Sequence, residues 1–139
     1  MNARLLVGAV AVFVWYMVWD LGLSGPLFGS YYAQIEGINP APSLMWLAIG
    51  NLVAGVVLSW FYGRTLASFG VGVRGGLNFG LSAGIVMGFP IWIMISIYDT
   101  GWTYAASWAQ TLANILWVLV AGILLGIVYE KMGGGEAKA

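Results

Sequence analysis

The sequence predicts an all-α protein in which four transmembrane helices form a single bundle. Apolar residues make up 61% of the chain and charged residues only 7%, whereas soluble domains carry about 25% charged residues. A protein surface with so few charged residues has to face lipid. Four apolar segments also reach the length of about 20 residues that a helix needs to cross the hydrocarbon. They lie at about residues 5–21, 43–62, 76–98 and 103–129.

These four spans form one domain, residues 1–139, with a loop at 22–42 and a tail at 130–139. The first span follows Arg4, as the apolar part of a signal peptide would. No small-x-small cleavage site follows it, so we expect a retained helix. Within the loop, Pro26 favours a short helix lying in the membrane interface, and an irregular loop is the alternative.

The basic residues predict the orientation of the four spans. They precede span 1, lie between spans 2 and 3, or follow span 4: Arg4, Arg64, Arg74, Lys131 and Lys138. Lys and Arg accumulate in cytoplasmic loops. We therefore expect both termini in the cytoplasm and the loop at 22–42 outside.

Aromatic residues concentrate near the ends of the predicted spans, where indole and phenol rings favour the headgroup region. The inner set is Trp60, Tyr62 and Tyr129, and the outer set is Tyr16, Trp19, Trp46, Tyr98, Trp102, Tyr104 and Trp108. An ordinary aromatic belt explains both sets. The alternative is that the outer set forms a platform for a lipid, a quinone, a pigment or a partner helix. No resident cofactor is otherwise expected.

The ends of spans 2 and 4 resemble each other. Residues 53–64, VAGVVLSWFYGR, match residues 120–131, VAGILLGIVYEK, at five positions, and a lysine stands opposite the arginine. Both spans run in the same direction, so a true repeat would consist of two parallel helical hairpins. Chance similarity between apolar helices is the alternative.

Span 3 contains a row of glycines spaced by four, which are Gly76, Gly80, Gly84 and Gly88. This spacing aligns them along one face of a helix, where a second backbone can approach closely. We expect this glycine row to pack against another helix of the same chain. The alternative is that it accepts a lipid tail or the helix of another protein.

Four polar residues within or beside the spans are candidates for a ligand site or a solute path, namely Asp20, Asn51, Gln110 and Asn114. An amide in hydrocarbon needs a partner, so interhelical hydrogen bonding is the simpler interpretation of Asn51, Gln110 and Asn114. Asp20 follows Trp19 at the expected end of span 1. A carboxylate there either reaches the headgroups or, if it is buried, titrates in proton-coupled transport or holds a cation.

Residue types that support most enzyme chemistry are absent. The chain has no cysteine and no histidine, which removes thiolate nucleophiles and the common metal ligands. No nucleophile lies beside a base, no pair of acids has a suitable spacing, and no phosphate loop is present. We therefore expect neither an enzyme nor a metal site. A net charge of zero gives no reason to expect a nucleic-acid partner.

Several short motifs resemble small bacterial four-helix membrane proteins of unknown function. They are Trp15-Tyr16, Pro26-Leu27-Phe28-Gly29, Gly76-Leu77-Asn78-Phe79-Gly80, and an asparagine in span 4. The resemblance implies a bacterial inner membrane location and no particular activity. We expect a non-catalytic accessory or assembly subunit in contact with lipid and with other membrane subunits or a second copy. The alternative is a small oligomeric transporter or channel for a small solute or lipophilic compound.

Overall fold

The computed structural model describes residues 3–35, 43–98 and 101–133. The described chain is α-helical apart from short turns. Its elements are α1 (Ala3–Val18), a π-helical turn (Trp19–Leu23), α2 (Ser24–Tyr32), α3 (Leu44–Arg64), α4 (Leu66–Phe69), α5 (Gly72–Tyr98) and α6 (Tyr104–Gly133). Residues 36–42 of the predicted loop and residues 134–139 of the predicted tail, which include Lys138, lie outside the described residues.

The predicted fold class is confirmed, because four helices are long and apolar enough to cross a membrane. The chain is thus a multi-pass membrane protein. The first spanning helix is longer than expected and runs without a break from Ala3 to Tyr32. Helix therefore occupies residues where we expected the outer loop to begin.

A π-helical turn joins α1 to α2 without ending the helix. The backbone N–H of Ser24 donates to the carbonyl of Trp19, five residues earlier, and the Ser24 hydroxyl donates to the carbonyl of Asp20 at 3.2 Å. Pro26 then falls in the first turn of α2, where its missing N–H does least harm. The sequence around Gly22, Gly25 and Pro26 is consequently helical.

The helices pack as two antiparallel pairs. Helix α1 lies along α3, and α5 lies along α6, while α1 also contacts α6 and so joins the pairs. Sequence-adjacent spans thus form the two hairpins, and α3 has little contact with α6. This pairing agrees with the hairpin arrangement considered for the repeat.

Both described chain ends lie at the same end of the bundle, which we call the terminal end. Arg4 Nε donates a hydrogen bond of 3.2 Å to the backbone carbonyl of Met132. Arg64 ends α3, and Arg74 lies in the first turn of α5. The described basic residues are therefore at the terminal end.

The glycine row of α5 faces α6 of the same chain. A Cβ added at Gly80 would lie 2.7 Å from the carbonyl oxygen of Leu119, and one at Gly84 would lie 3.1 Å from Ile115. Gly76 abuts Gly122, and Gly88 abuts Asn114. The row thus permits close approach of two backbones within the subunit.

The compact part of the core lies in the terminal half of the bundle. Its buried residues come from four helices and are Val12, Tyr16, Leu58, Tyr62, Phe79, Ala121, Leu125 and Tyr129. Tyr62 and Tyr129, which match in the repeat alignment, pack edge to face with ring centroids 5.2 Å apart. The Tyr129 hydroxyl donates to the Ser59 carbonyl at 2.7 Å, across the two hairpins.

Candidate functional site

A cavity of about 500 Å³ lies in the half of the bundle away from the terminal end. All four polar candidates, Asp20, Asn51, Gln110 and Asn114, line it. The full lining is Trp19, Asp20, Ser24, Tyr32, Leu47, Asn51, Trp92, Trp102, Gln110, Ala113, Asn114 and Trp117. The residues come from both hairpins, so the packing of the two pairs creates the site.

Asp20 and Asn51 form the polar contact between the two helices of the first hairpin. Asn51 Nδ2 donates to Asp20 Oδ2 at 2.8 Å and also lies 3.4 Å from Met17 Sδ. The Asn51 side chain is 5% exposed. This hydrogen bond orients the amide so that its NH₂ group faces the carboxylate. It also holds Asp20 at the cavity wall.

The π-helical turn contains Asp20 and shapes this wall. A π turn widens the helix locally, and such turns occur frequently at functional sites. Here the turn lies between two α-helical stretches, so Asp20 lies within the first long apolar helix and not at its end. The helix continues past Asp20 to Tyr32, and contact of the carboxylate with lipid headgroups stays one interpretation beside a role in the cavity.

Aromatic rings form much of the remaining cavity surface. Trp92 of α5 and Trp102 stack with centroids 5.3 Å apart and an angle of 25° between the rings. Trp117 of α6 lies against Tyr16, with centroids 3.8 Å apart, and its indole N–H has no hydrogen-bond partner among the described residues. Trp19 adds a fourth indole.

Four polar residues of α6 lie in two different environments. Gln110 and Asn114 line the cavity. Ser107 and Thr111 are fully buried, and their hydroxyl oxygens have no hydrogen-bond partner within the described part of the chain. The four residues therefore do not form one continuous polar path along α6.

Aromatic packing fills the bundle on the terminal side of the cavity. Tyr16 and Tyr62 are completely buried there, as are Phe79 and Leu125. No charged side chain belongs to this described core. The cavity is consequently a pocket closed on one side and not a continuous pore.

Metal binding has no support within residues 3–35, 43–98 and 101–133, where no three His, Cys, Asp or Glu side chains come together. The cavity offers one carboxylate and three amide side chains. It can therefore donate and accept hydrogen bonds, stabilise one positive charge and stack against flat or apolar groups.

The sequence-based reasoning missed most of the aromatic lining. Trp19 and Trp102 were assigned to an interfacial belt, while Trp92 and Trp117 were not selected. Hydropathy cannot distinguish a ring that faces lipid from one that faces a cavity. The available signal was helical spacing, because Trp117 follows Asn114 by three residues and Gln110 by seven, which puts all three on one face.

Comparison of the chain with protein-family models, with curated proteins and with solved structures gave no match. The interpretation of this site therefore rests on its own residues.

Proposed function

We propose that the protein is a small-solute carrier of the bacterial inner membrane. The observation that carries this proposal is the shared cavity of Asp20, Asn51, Gln110 and Asn114 inside membrane-spanning helices. Polar and ionisable residues are expensive in hydrocarbon and mark solute pathways when they line a cavity. A pocket of about 500 Å³ is in the size range of small-molecule sites.

A carrier fits the described geometry better than a channel does. A channel needs a continuous path, and the aromatic core around Tyr16 and Tyr62 fills the terminal half of the bundle. A carrier instead opens its site to one side at a time. The joint between the two hairpins, where α1 meets α6, is the natural place for such a rearrangement.

The orientation forms part of the same proposal. The described basic residues lie at the terminal end, which supports a cytoplasmic location for that end. They are Arg4, Arg64, Arg74 and Lys131. The cavity lies in the opposite half of the bundle. The cavity would then lie in the outer half of the membrane.

The expectation of an accessory subunit, which the sequence favoured, loses one of its arguments. It relied in part on the glycine row of α5 as a surface for a partner helix. Gly76, Gly80, Gly84 and Gly88 instead lie against α6. A partner would have to bind elsewhere on the bundle, and the cavity would have no role in that binding.

Cysteine accessibility provides the test, because the chain has no cysteine of its own. Ser24→Cys introduces a thiol at a partly exposed position that lines the cavity, and Ala121→Cys introduces one in the fully buried core. The reagent is the membrane-impermeant, cationic methanethiosulfonate ethyltrimethylammonium. It is applied to spheroplasts and to inside-out vesicles, and modification is measured by intact mass.

We expect the Ser24→Cys protein to react in spheroplasts and, more slowly, in inside-out vesicles, since a carrier exposes its site to both sides. The Ala121→Cys protein should react in neither preparation. Reaction from one side alone would contradict the carrier proposal and would indicate a protein that only binds its solute. Equal protection of both cysteines from both sides would contradict the cavity as a solute site.

A further inference from the structure

We infer that the cavity is selective for an organic cation, such as a quaternary ammonium or a protonated lipophilic amine. This inference rests on the proposed function, because it assigns a substrate class to the same site. The supporting observation is the combination of one carboxylate, which faces no opposite charge in the described lining, with walls of indole rings.

Among the described residues, Asp20 is the single charged side chain in the cavity lining. Asn51 gives it one hydrogen bond but no opposite charge. Arg4, on the same helix, lies about 24 Å away along the axis, and the other described basic residues are also at the terminal end. An ionised carboxylate within a spanning helix needs a counter-charge, and a bound cation would supply it.

The aromatic walls favour a cation whose charge is spread over carbon. The faces of indole and phenol rings carry negative electrostatic potential, and tryptophan binds cations most strongly among the aromatic residues. Four indoles and one phenol line this cavity. They belong to Trp19, Trp92, Trp102, Trp117 and Tyr32. Quaternary ammonium groups are recognised in such aromatic surroundings.

An inorganic cation fits the same cavity poorly. Hard metal ions take six or more oxygen ligands in close contact, whereas no cluster of three acidic or histidine side chains occurs in the described chain. A volume of about 500 Å³ also far exceeds that of a bare ion. An organic cation can fill this volume and contact both the carboxylate and the rings.

Protection of the Ser24→Cys thiol measures ligand class directly. The full-length protein in mild detergent is treated with the small neutral reagent methyl methanethiosulfonate, alone or with one of three added compounds. Phenyltrimethylammonium and tert-butylbenzene have the same shape and differ in charge, and benzenesulfonate supplies an anion of similar size. The rate of modification is followed by intact mass.

We expect phenyltrimethylammonium to protect the thiol at a concentration about tenfold lower than tert-butylbenzene, a difference of about 1.4 kcal/mol, because the carboxylate and the ring faces both favour the cation. Benzenesulfonate should give no protection. Asp20→Asn in the Ser24→Cys background should reduce the difference between the first two compounds. Glu130→Gln, which removes an exposed carboxylate at the terminal end, should preserve it.

The outcomes separate failure of the substrate class from failure of the site. Equal protection by the neutral and the cationic compound, or protection by benzenesulfonate, would overturn the cation inference and leave the carrier proposal standing. A thiol that the small neutral reagent does not modify would overturn both. Asp20→Asn keeps an oxygen that can accept from Asn51, so an unchanged melting temperature shows that the variant is folded.

Discussion

Asn51 on α3 donates a hydrogen bond of 2.8 Å to Asp20 on the π-helical turn of the first spanning helix. The two residues are 31 positions apart in the chain, and both line the cavity. The bond therefore couples the geometry of the site to the packing of the first hairpin. A change that removes this hydrogen bond should therefore be measurable in stability.

Asn51→Leu should destabilise the protein by about 1–3 kcal/mol, because the Asp20 carboxylate loses its donor in a poorly solvated position. The measurement is thermal unfolding in mild detergent. Asn78→Leu is the matched control, since Asn78 is exposed on α5, and its replacement should leave the melting temperature unchanged. Equal melting temperatures for the wild type and both variants would show that the Asp20–Asn51 bond contributes little.

Gly80→Ala should destabilise the α5–α6 pair by about 1–3 kcal/mol, the usual range for overpacking. The added Cβ would lie 2.7 Å from the carbonyl oxygen of Leu119, so the two backbones have to separate. Gly50→Ala serves as the control, because a Cβ at Gly50 meets nothing within 4 Å. The measurement is thermal unfolding of both variants. A melting temperature of Gly80→Ala that is no lower than that of Gly50→Ala would contradict the close packing.

Tyr129→Phe should lower the free energy of unfolding by about 0.5–1.5 kcal/mol, the net contribution of a typical hydrogen bond. The variant removes the 2.7 Å bond from the Tyr129 hydroxyl to the Ser59 carbonyl and preserves the ring contact with Tyr62. Tyr104→Phe is the control, because Tyr104 is 65% exposed. If the two variants unfold alike, the hydrogen bond between the hairpins is not a stabilising contact.

Cysteine labelling should establish the orientation. Ser30 and Ser68 are both exposed, but Ser30 lies in α2 beyond the cavity and Ser68 lies in α4 at the terminal end. With a cytoplasmic terminal end, an impermeant maleimide should label Ser30→Cys in intact cells and spare Ser68→Cys. Permeabilised cells should show labelling of both. Labelling of Ser68→Cys alone in intact cells would show that the topology is the reverse of the proposed one.

The four spans could be predicted from the sequence because hydropathy over about 20 residues is a local property. The end of the first helix could not be located in the same way. Gly22, Gly25 and Pro26 are helix breakers in water, but the π-helical turn changes the hydrogen-bond register ahead of Pro26. The chain consequently stays helical to Tyr32.

The candidate site residues were selected one at a time, as polar groups in or beside apolar segments. They are Asp20, Asn51, Gln110 and Asn114. Each choice used only the cost of placing a polar group in hydrocarbon. Their convergence on one cavity depends on how α1, α3 and α6 rotate and cross. Local sequence carries little information about those angles.

The sequence by itself therefore determined the membrane class, the number of spanning helices and the residue types available for chemistry, because composition and periodicity act over one helix at a time. Tertiary structure alone decided which faces meet. It turned the glycine row of α5 toward α6 and brought four indoles around Asp20. The physical reason is that helix packing in lipid depends on close fit between side chains far apart in the chain, and that fit exists only once the helices are assembled.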